Sequence, residues 1–301
     1  MDLSPIALFV YKRLEHTQHT IEALKKNKLA NNSTLYIFAD ASKKEQDKKV
    51  ANQVRKYIEK ISGFKKIEII KREKNYGLSK NIISGVNNII NIYNKIIVLE
   101  DDLITSPYFL SYINEALELY KDENKVMQIS GHMFQVEIKN EKYDAMFLPF
   151  ITSWGWGSWK RAWNIFDPTM KGFRLLKENK TLRKKFNLYG AYDYFNLLKL
   201  QQQGKIDSWA IRWYLSVFLK NGLTLFPKKT LIYNTGFDGS GVHCQTKSFD
   251  QQELNIFPVK KYPKEIIESS NKYIVFKSIK ERSGILKRIK GKLNEIIKKI
   301  I

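Results

Sequence analysis

Apolar and polar runs alternate along the first 130 residues in a way that predicts strands separated by helices. The predicted strands cover residues 5–11, 35–39, 66–71, 96–99 and 126–130. Between them, apolar positions recur at helical spacing, as in Ile82, Val86 and Ile89. Such alternation is typical of an α/β protein with a doubly wound, mostly parallel, Rossmann-like sheet.

Beyond residue 130 the regular alternation stops. Residues 152–163 are dense in Trp and Gly, residues 209–219 predict an aromatic-rich helix, and residues 223–234 predict a strand pair around Pro227. No Ser- or Gly-rich linker and no repeat separates this part from the first. We therefore expect one continuous domain over residues 1–260.

Residues 285–301 have a different pattern. Apolar residues recur every three or four positions, and lysine and arginine fill most of the others. This predicts a basic amphipathic helix that lies on an anionic membrane surface. The alternative is a terminal helix docked on its own core or on a second subunit.

The net charge of +22 implies an anionic partner, either nucleic acid, an anionic membrane surface or a phosphorylated substrate. Nucleic acid is the weaker choice, because no recognisable motif interleaves aromatic and basic residues. The single cysteine, Cys244, excludes an internal disulfide and fits a reducing compartment. No apolar run approaches the roughly 18 residues of a membrane span. We expect a cytoplasmic protein, peripheral on the inner face of the cell membrane.

The most informative motif is Glu100-Asp101-Asp102, three adjacent acids after the apolar run at residues 96–99. Like charges at the end of a buried strand repel one another, and a divalent cation relieves that repulsion. Ligands of open α/β sheets bind beyond the carboxyl ends of strands. The motif therefore predicts a metal–diphosphate site. The alternative is a solvated loop that caps the next helix at Ser106 and Pro107.

Other polar residues follow the preceding strands, so they are expected to surround the same crevice. Arg13 follows the first strand, Asp40 the second, and Asn75-Tyr76-Gly77 the third. The Arg13 guanidinium suits a phosphate, and the Asp40 carboxylate suits a nucleobase or ribose.

The run at residues 97–103, followed by Pro107-Tyr108-Phe109, resembles the glycosyltransferase A fold in its nucleotide-sugar-dependent form. It is similar to the branch that contains the β-1,2-N-acetylglucosaminyltransferase of complex N-glycan branching. Residues 152–159 match the Gly/Trp-rich acceptor-side loop of that family, in the aromatic version of related bacterial sugar transferases. Asp207-Ser208-Trp209 resembles the segment that holds the catalytic base. The resemblance runs from about residue 5 to residue 244.

The resemblance implies an inverting glycosyltransferase that uses Mn²⁺ or Mg²⁺ and a nucleoside diphosphate sugar, with UDP-sugars as the first choice. The acceptor would be a hydroxyl of a bacterial surface glycan or a lipid-linked saccharide. Residues 1–130 would form the nucleotide-sugar half, residues 131–260 the acceptor half, and residues 261–301 a basic tail. The implied roles are donor binding by Arg13, Asp40, Asn75, Tyr76, Glu100, Asp101 and His243, metal binding by Asp102, catalysis by Asp207, and acceptor binding by Trp154, Trp156 and Trp159.

Several of these roles have plain structural alternatives. The N-acetylglucosaminyltransferase has two adjacent acids before its Trp, whereas here Asp207 is followed by Ser208, and Asp207 could simply cap the following helix. If Asp207 is the base, we expect nearby tryptophans to desolvate it partly. The Gly-rich run at residues 236–243 predicts a mobile lid that carries His243, or otherwise an ordinary turn. At least one of the tryptophans could belong to the core. The whole chain could also be a non-catalytic sugar-binding relative of the fold.

Overall fold

The computed structural model describes residues 2–139, 141–238 and 253–283. The strands are β1 Ile6–Val10, β2 Thr34–Ala39, β3 Lys66–Lys71, β4 Lys95–Glu100, β5 Leu103–Thr105, β6 Val126–Ser130, β7 Ala145–Leu148, β8 Trp156–Trp159, β9 Leu223–Pro227 and β10 Ile232–Asn234. The α-helices are α1 Leu14–Lys25, α2 Lys48–Ile58, α3 Leu78–Tyr93, α4 Phe109–Leu119, α5 Lys160–Trp163, α6 Phe173–Glu178, α7 Lys180–Phe186, α8 Tyr194–Gln202 and α9 Trp209–Leu219. Residues 272–283 are also helical.

Within these ranges, eight strands form one sheet in the order β3-β2-β1-β4-β8-β6-β9-β7. Strands β3, β2, β1 and β4 are parallel to one another. Strand β8 runs antiparallel to both β4 and β6, so β6 and its parallel partner β9 point the same way as β4. Only β7 and β8 run in the opposite direction. The predicted α/β class with a mostly parallel sheet is confirmed.

The strand order reverses between β1 and β4. The chain moves outward from β1 to β2 and β3, and then returns to place β4 on the other side of β1. Because such crossovers are right-handed, α1 and α2 lie on one face of the sheet and α3 on the other. Accordingly α1 packs against α2, and α3 packs against β1 and β4. The carboxyl ends of β1 and β4 therefore lie side by side at the switch point, where sheets of this kind bind ligands.

The second half extends the same sheet, but with pairings that differ from the predicted ones. The expected strand pair around Pro227 is wrong: β9 lies between β6 and β7, while β10 pairs with β5 in a separate two-stranded ribbon. Every residue of β9 is buried, whereas β10 is only partly buried. A fully buried strand needs hydrogen-bonding partners on both sides, and the sheet interior supplies them.

The described part of the predicted tail packs on the body of the protein. The Tyr262 ring stacks on that of Tyr112 at 6.2 Å between centroids. In the helical stretch at residues 272–283, Val275, Phe276 and Ile279 are buried in the main core. These residues after position 260 therefore pack on the same core as the strands and helices before it. The amphipathic segment at residues 285–301 lies outside the described residues. Within the described ranges, no helix has the length and apolarity needed to cross a membrane.

Candidate functional site

Arg13 and the acids after β4 meet at the switch point. The Nη2 of Arg13 donates to Asp101 and, at 2.9 Å, to Asp102 Oδ2. The Nε of Arg13 donates to Asp101 Oδ2 at 3.4 Å. The predicted proximity follows from the topology, because β1 and β4 are neighbours. The sequence predicts a phosphate as the partner of Arg13, but in the structure two of its guanidinium nitrogens, Nε and Nη2, donate to aspartate carboxylates. Within the described residues, Nη1 of Arg13 makes no hydrogen bond.

The electrostatics of this cluster favour additional positive charge. Burial, together with repulsion from the neighbouring aspartates, raises the pKa of Glu100 above its usual range. Burial also raises the pKa of Asp101, although Arg13 opposes that shift. For Arg13, burial disfavours the charged form, but the two carboxylates outweigh it and raise its pKa above the ordinary value. A divalent cation would relieve the remaining repulsion.

The donor atoms fit a hard divalent ion, because carboxylate oxygens suit Mg²⁺ and Mn²⁺. Across the described ranges, however, no three His, Cys, Asp or Glu side chains are grouped to hold a metal by themselves. An ion at Asp102 would therefore need further oxygen atoms, such as those of a bound diphosphate.

Residues 235–238, which we call the strap, cross over the acid cluster. The amide and hydroxyl of Thr235 both donate to the carbonyl of Asp102, at 2.8 and 3.0 Å. A Cβ on Gly236 would lie 2.3 Å from Asp102 Oδ2, so only glycine fits without displacing that carboxylate. Asp238 pairs with His16 at 3.1 Å. The strap begins the predicted lid; the remainder of the lid, including His243, lies outside the described residues.

Asp40 organises the loop after β3 instead of facing a ligand. Its Oδ1 accepts from the amides of Ala41 and Tyr76, both at 2.9 Å. Its Oδ2 accepts from Asn75 Nδ2 at 3.1 Å and from the Gly77 amide at 2.9 Å. A carboxylate offers about four lone-pair positions, and all of them are used here. The prediction that Asp40 hydrogen-bonds a nucleobase is therefore wrong. Asp40 instead fixes the conformation of the loop at residues 75–77.

That loop presents Tyr76 beside two cations. The Tyr76 ring lies 4.6 Å from the Arg72 guanidinium carbon and 4.9 Å from Lys80 Nζ. Gly77 has a φ of 72° and precedes the first residue of α3. The amide group of Asn75 also donates to the carbonyl of Ala41 at 2.6 Å. The loop is therefore held from both sides, and α3 begins in a defined direction.

Asp207 lies at a polar cavity of about 430 Å³ between α3 and α9. The cavity is lined by Ser79, Lys80, Ile83, Ser84, Asn87, Asn88, Asp207 and Arg212. Arg212 donates to Asp207 Oδ1 at 2.7 Å and also to the hydroxyl of Ser79. The side chain of Asp207 is 65% exposed, so the prediction that tryptophans desolvate it is wrong. The helix cap is Ser208, whose hydroxyl accepts from the Ile211 amide.

The three predicted acceptor tryptophans occupy two different environments. Trp154 is half-buried, with its ring 4.4 Å from that of His132 and 5.4 Å from that of Phe237 in the strap. Trp156 is fully buried and Trp159 nearly so, because both lie on β8 inside the sheet. Neither can stack against a sugar, so their predicted acceptor role is corrected to core packing. Only Trp154 stays in position to meet a ligand.

Several residues of the site were not anticipated from the sequence. His16 follows Arg13 by three residues, so helical spacing could have indicated it. Arg212 follows Asp207 by five residues, and Asp207 precedes α9, so helical spacing does not indicate that pair. Thr235 reaches Asp102 only because β10 pairs with β5, a long-range contact that has no local signature.

No family model matches the chain, and no curated protein matches it. Among solved structures, it is similar to the mannosyltransferase PcManGT from Pyrobaculum calidifontis in complex with GDP-Man and Mn²⁺, with a TM-score of 0.36 and 6% identity over 54% of this chain and 45% of that one. It is also similar to S. aureus TarS 1–349, with a TM-score of 0.40 and 11% identity over 78% of this chain and 60% of that one. A longer TarS structure gives a TM-score of 0.38 and 12% identity, over 77% of this chain and 36% of that one. The chain therefore covers less than two thirds of each of these structures.

Proposed function

We propose that the chain is a metal-dependent inverting glycosyltransferase. It would move a sugar from a nucleoside diphosphate sugar, with UDP-sugars as the first choice, to a hydroxyl of a bacterial surface glycan or a lipid-linked saccharide. One observation carries the proposal: the acids after β4 lie at the switch point of the sheet, joined to Arg13 after β1. The motif resemblance at residues 97–109 and 152–159 supports the same class of reaction.

The donor diphosphate is proposed to bind beside Asp102 and Arg13. A Mn²⁺ or Mg²⁺ ion bound by Asp102 would neutralise the charge that develops on the leaving diphosphate. Arg13 has Nη1 left to donate to a phosphate oxygen while its other nitrogens hold the aspartates in place. Glu100 and Asp101 would lie against the sugar and ribose, and Asn75 and Tyr76 would border the nucleoside.

Asp207 is proposed as the base that accepts the proton of the acceptor hydroxyl. Inversion requires a base on the face of the sugar opposite the leaving group. Arg212 fixes the Asp207 carboxylate on the wall of the cavity and is itself tied to Ser79 of α3. One oxygen, Oδ1, accepts from Arg212, and the exposed remainder of the carboxylate can meet an acceptor. Trp154 would offer its ring to the acceptor sugar.

The proposed location is the inner face of the cell membrane, beside a lipid-linked acceptor. In the sequence-based hypothesis, the basic amphipathic segment at residues 285–301 supplies the attachment.

A screen of nucleoside diphosphate sugars by thermal shift, with and without Mn²⁺, tests the donor assignment. A ligand at a hundred times its dissociation constant should stabilise the fold by about 2.7 kcal/mol. We expect stabilisation by one donor family, stronger with Mn²⁺ and weakened in Asp102→Asn. If no donor stabilises the chain, or if Asp102→Asn keeps normal metal-dependent transfer, the assignment is wrong.

The base is tested by Asp207→Asn, which keeps the shape of the side chain but cannot accept the proton. Transfer should fall by roughly a hundred- to ten-thousand-fold, while donor binding is unchanged. Glu178→Gln is the matched control, because Glu178 is also exposed and pairs with an arginine, Arg174, at 2.7 Å. Weaker donor binding at unchanged turnover would place Asp207 in the donor pocket instead.

A further inference from the structure

Two adjacent apolar side chains are exposed in the described segment that begins at residue 253. Ile256 is 61% exposed and Phe257 is 67% exposed, whereas Val259 beyond them is buried. They line one groove of about 680 Å³ together with Lys229, Tyr233, Glu253, Leu254 and Asn255. A pair of large apolar residues at the tip of a loop is unfavourable in water unless something covers it.

The tip is held firmly to the body of the protein. The Asn255 amide donates to the carbonyl of Thr230 at 2.8 Å, and the Ser106 hydroxyl donates to the carbonyl of Asn255. Within the loop, the Phe257 amide donates to Asn255 Oδ1 at 3.1 Å. The side chains therefore protrude from a fixed base, which lowers the entropy lost when they bind.

Lys229 lines the groove together with the tip, and Lys260 and Lys261 follow the tip in the chain. Lys229, Lys260 and Lys261 are exposed, and in the part of the chain that the structure describes none of them forms an ion pair. Asp144 lies beside two of these lysines, since its Oδ2 accepts from the backbone amides of Lys260 and Lys261. Among the described residues that line the groove, the acidic one is Glu253. Lys229, Lys260 and Lys261 outnumber Asp144 and Glu253, so this surface keeps a net positive charge that suits an anionic partner.

We propose that Ile256 and Phe257 insert into the headgroup boundary of an anionic lipid bilayer while Lys229, Lys260 and Lys261 contact lipid phosphates. An exposed apolar tip with exposed lysines nearby satisfies both requirements of interfacial binding. Nucleic acid would engage the lysines but leave both apolar side chains in water. This surface is formed by residues other than 285–301, and membrane binding here does not depend on the proposed enzymatic activity.

The position of the surface links it to the candidate site. Tyr233 of the groove lies on β10, which pairs with β5 directly after the acid cluster. Two residues later the chain forms the strap over Asp102. A bilayer that contacts the tip would therefore lie beside the crevice that is proposed to receive a lipid-linked acceptor.

The test uses the full chain with Cys244→Ser and an environment-sensitive NBD label on Phe257→Cys. The matched control carries the label on Ile92→Cys, because Ile92 is equally exposed at 68% but lies on α3. With phosphatidylcholine–phosphatidylglycerol vesicles, we expect a blue-shifted, brighter emission and quenching by lipid-borne quenchers at position 257 alone. Pure phosphatidylcholine vesicles should produce little change.

Co-sedimentation then measures the affinity. Ile256→Ser with Phe257→Ser should lower partitioning into anionic vesicles by at least about tenfold. Each of Lys260→Gln and Lys261→Gln should lower it about fivefold. An unshifted label at position 257 while the chain sediments with vesicles would overturn the proposal, as would equal binding to neutral vesicles. A label that responds to an oligonucleotide without lipid would also overturn it and favour a nucleic-acid surface.

Discussion

Replacing Asp40 with alanine should destabilise the protein through the loop at residues 75–77. The substitution removes four accepted hydrogen bonds, two of them from the backbone amides of Tyr76 and Gly77. The amide of Asn75 keeps its bond to the Ala41 carbonyl, so the two backbone amides account for most of the loss. A hydrogen bond to a charged group contributes about 1.5–3 kcal/mol. Because the loop is only partly buried and water can reach it, we expect a total loss of about 3 kcal/mol.

Urea denaturation measures this loss, and two further variants show where it arises. Asp40→Asn should also destabilise, since an amide turns its Nδ2 hydrogens toward donors of the loop. Asn75→Ala combined with Asp40→Ala should be less than additive, because the two side chains share a hydrogen bond. Glu59→Ala is the control: Glu59 forms an exposed ion pair with Lys71, so its loss should leave stability unchanged within error.

The reasoning fails if Asp40→Ala behaves like Glu59→Ala. If Asp40→Ala also weakened nucleotide binding at unchanged stability, its carboxylate would be free to meet a nucleobase, and the original sequence hypothesis would be correct. Limited proteolysis of the loop provides a second readout, because a released loop should be cut faster.

Three further predictions concern other parts of the site. Trp156→Ala should lower the unfolding free energy by about 3–5 kcal/mol, whereas Trp154→Ala should mainly raise the KM for the acceptor; equal stability losses would contradict this division. Gly236→Ala should displace the Asp102 carboxylate and abolish transfer without unfolding, as measured by activity and circular dichroism. Burial lowers the pKa of His132 to about 3 in the folded protein, against about 6.5 in the unfolded chain. Its contribution to stability is therefore complete above pH 6.5, where His132 is neutral in both states. That stability is lost as the pH falls below this value, by up to about 1.4 kcal/mol per pH unit, and His132→Phe should flatten this part of the dependence measured by urea denaturation.

The sequence by itself was sufficient for the class of fold and for the place of the main cluster. The predicted bounds of the strand at residues 66–71, the strand at residues 126–130 and the helix at residues 209–219 match the structure. Short runs rich in β-branched residues specify such strands, and the longer apolar and aromatic run at residues 209–219 specifies a helix. The meeting of Arg13 with the acids after β4 follows from the same alternation, since parallel strands place their carboxyl ends at one edge.

Only the tertiary structure decided which polar groups remain free and which aromatic rings are exposed. Trp156 is buried because β8 enters the sheet between β4 and β6, a pairing between segments far apart in the chain. Asp40 is saturated because a loop 35 residues further along returns its amides to that carboxylate. Asp207 is exposed because α9 packs against α3 and directs it toward open solvent beside Arg212. Burial and hydrogen-bond saturation are sums over long-range neighbours, and a local pattern of residues contains no information about those neighbours.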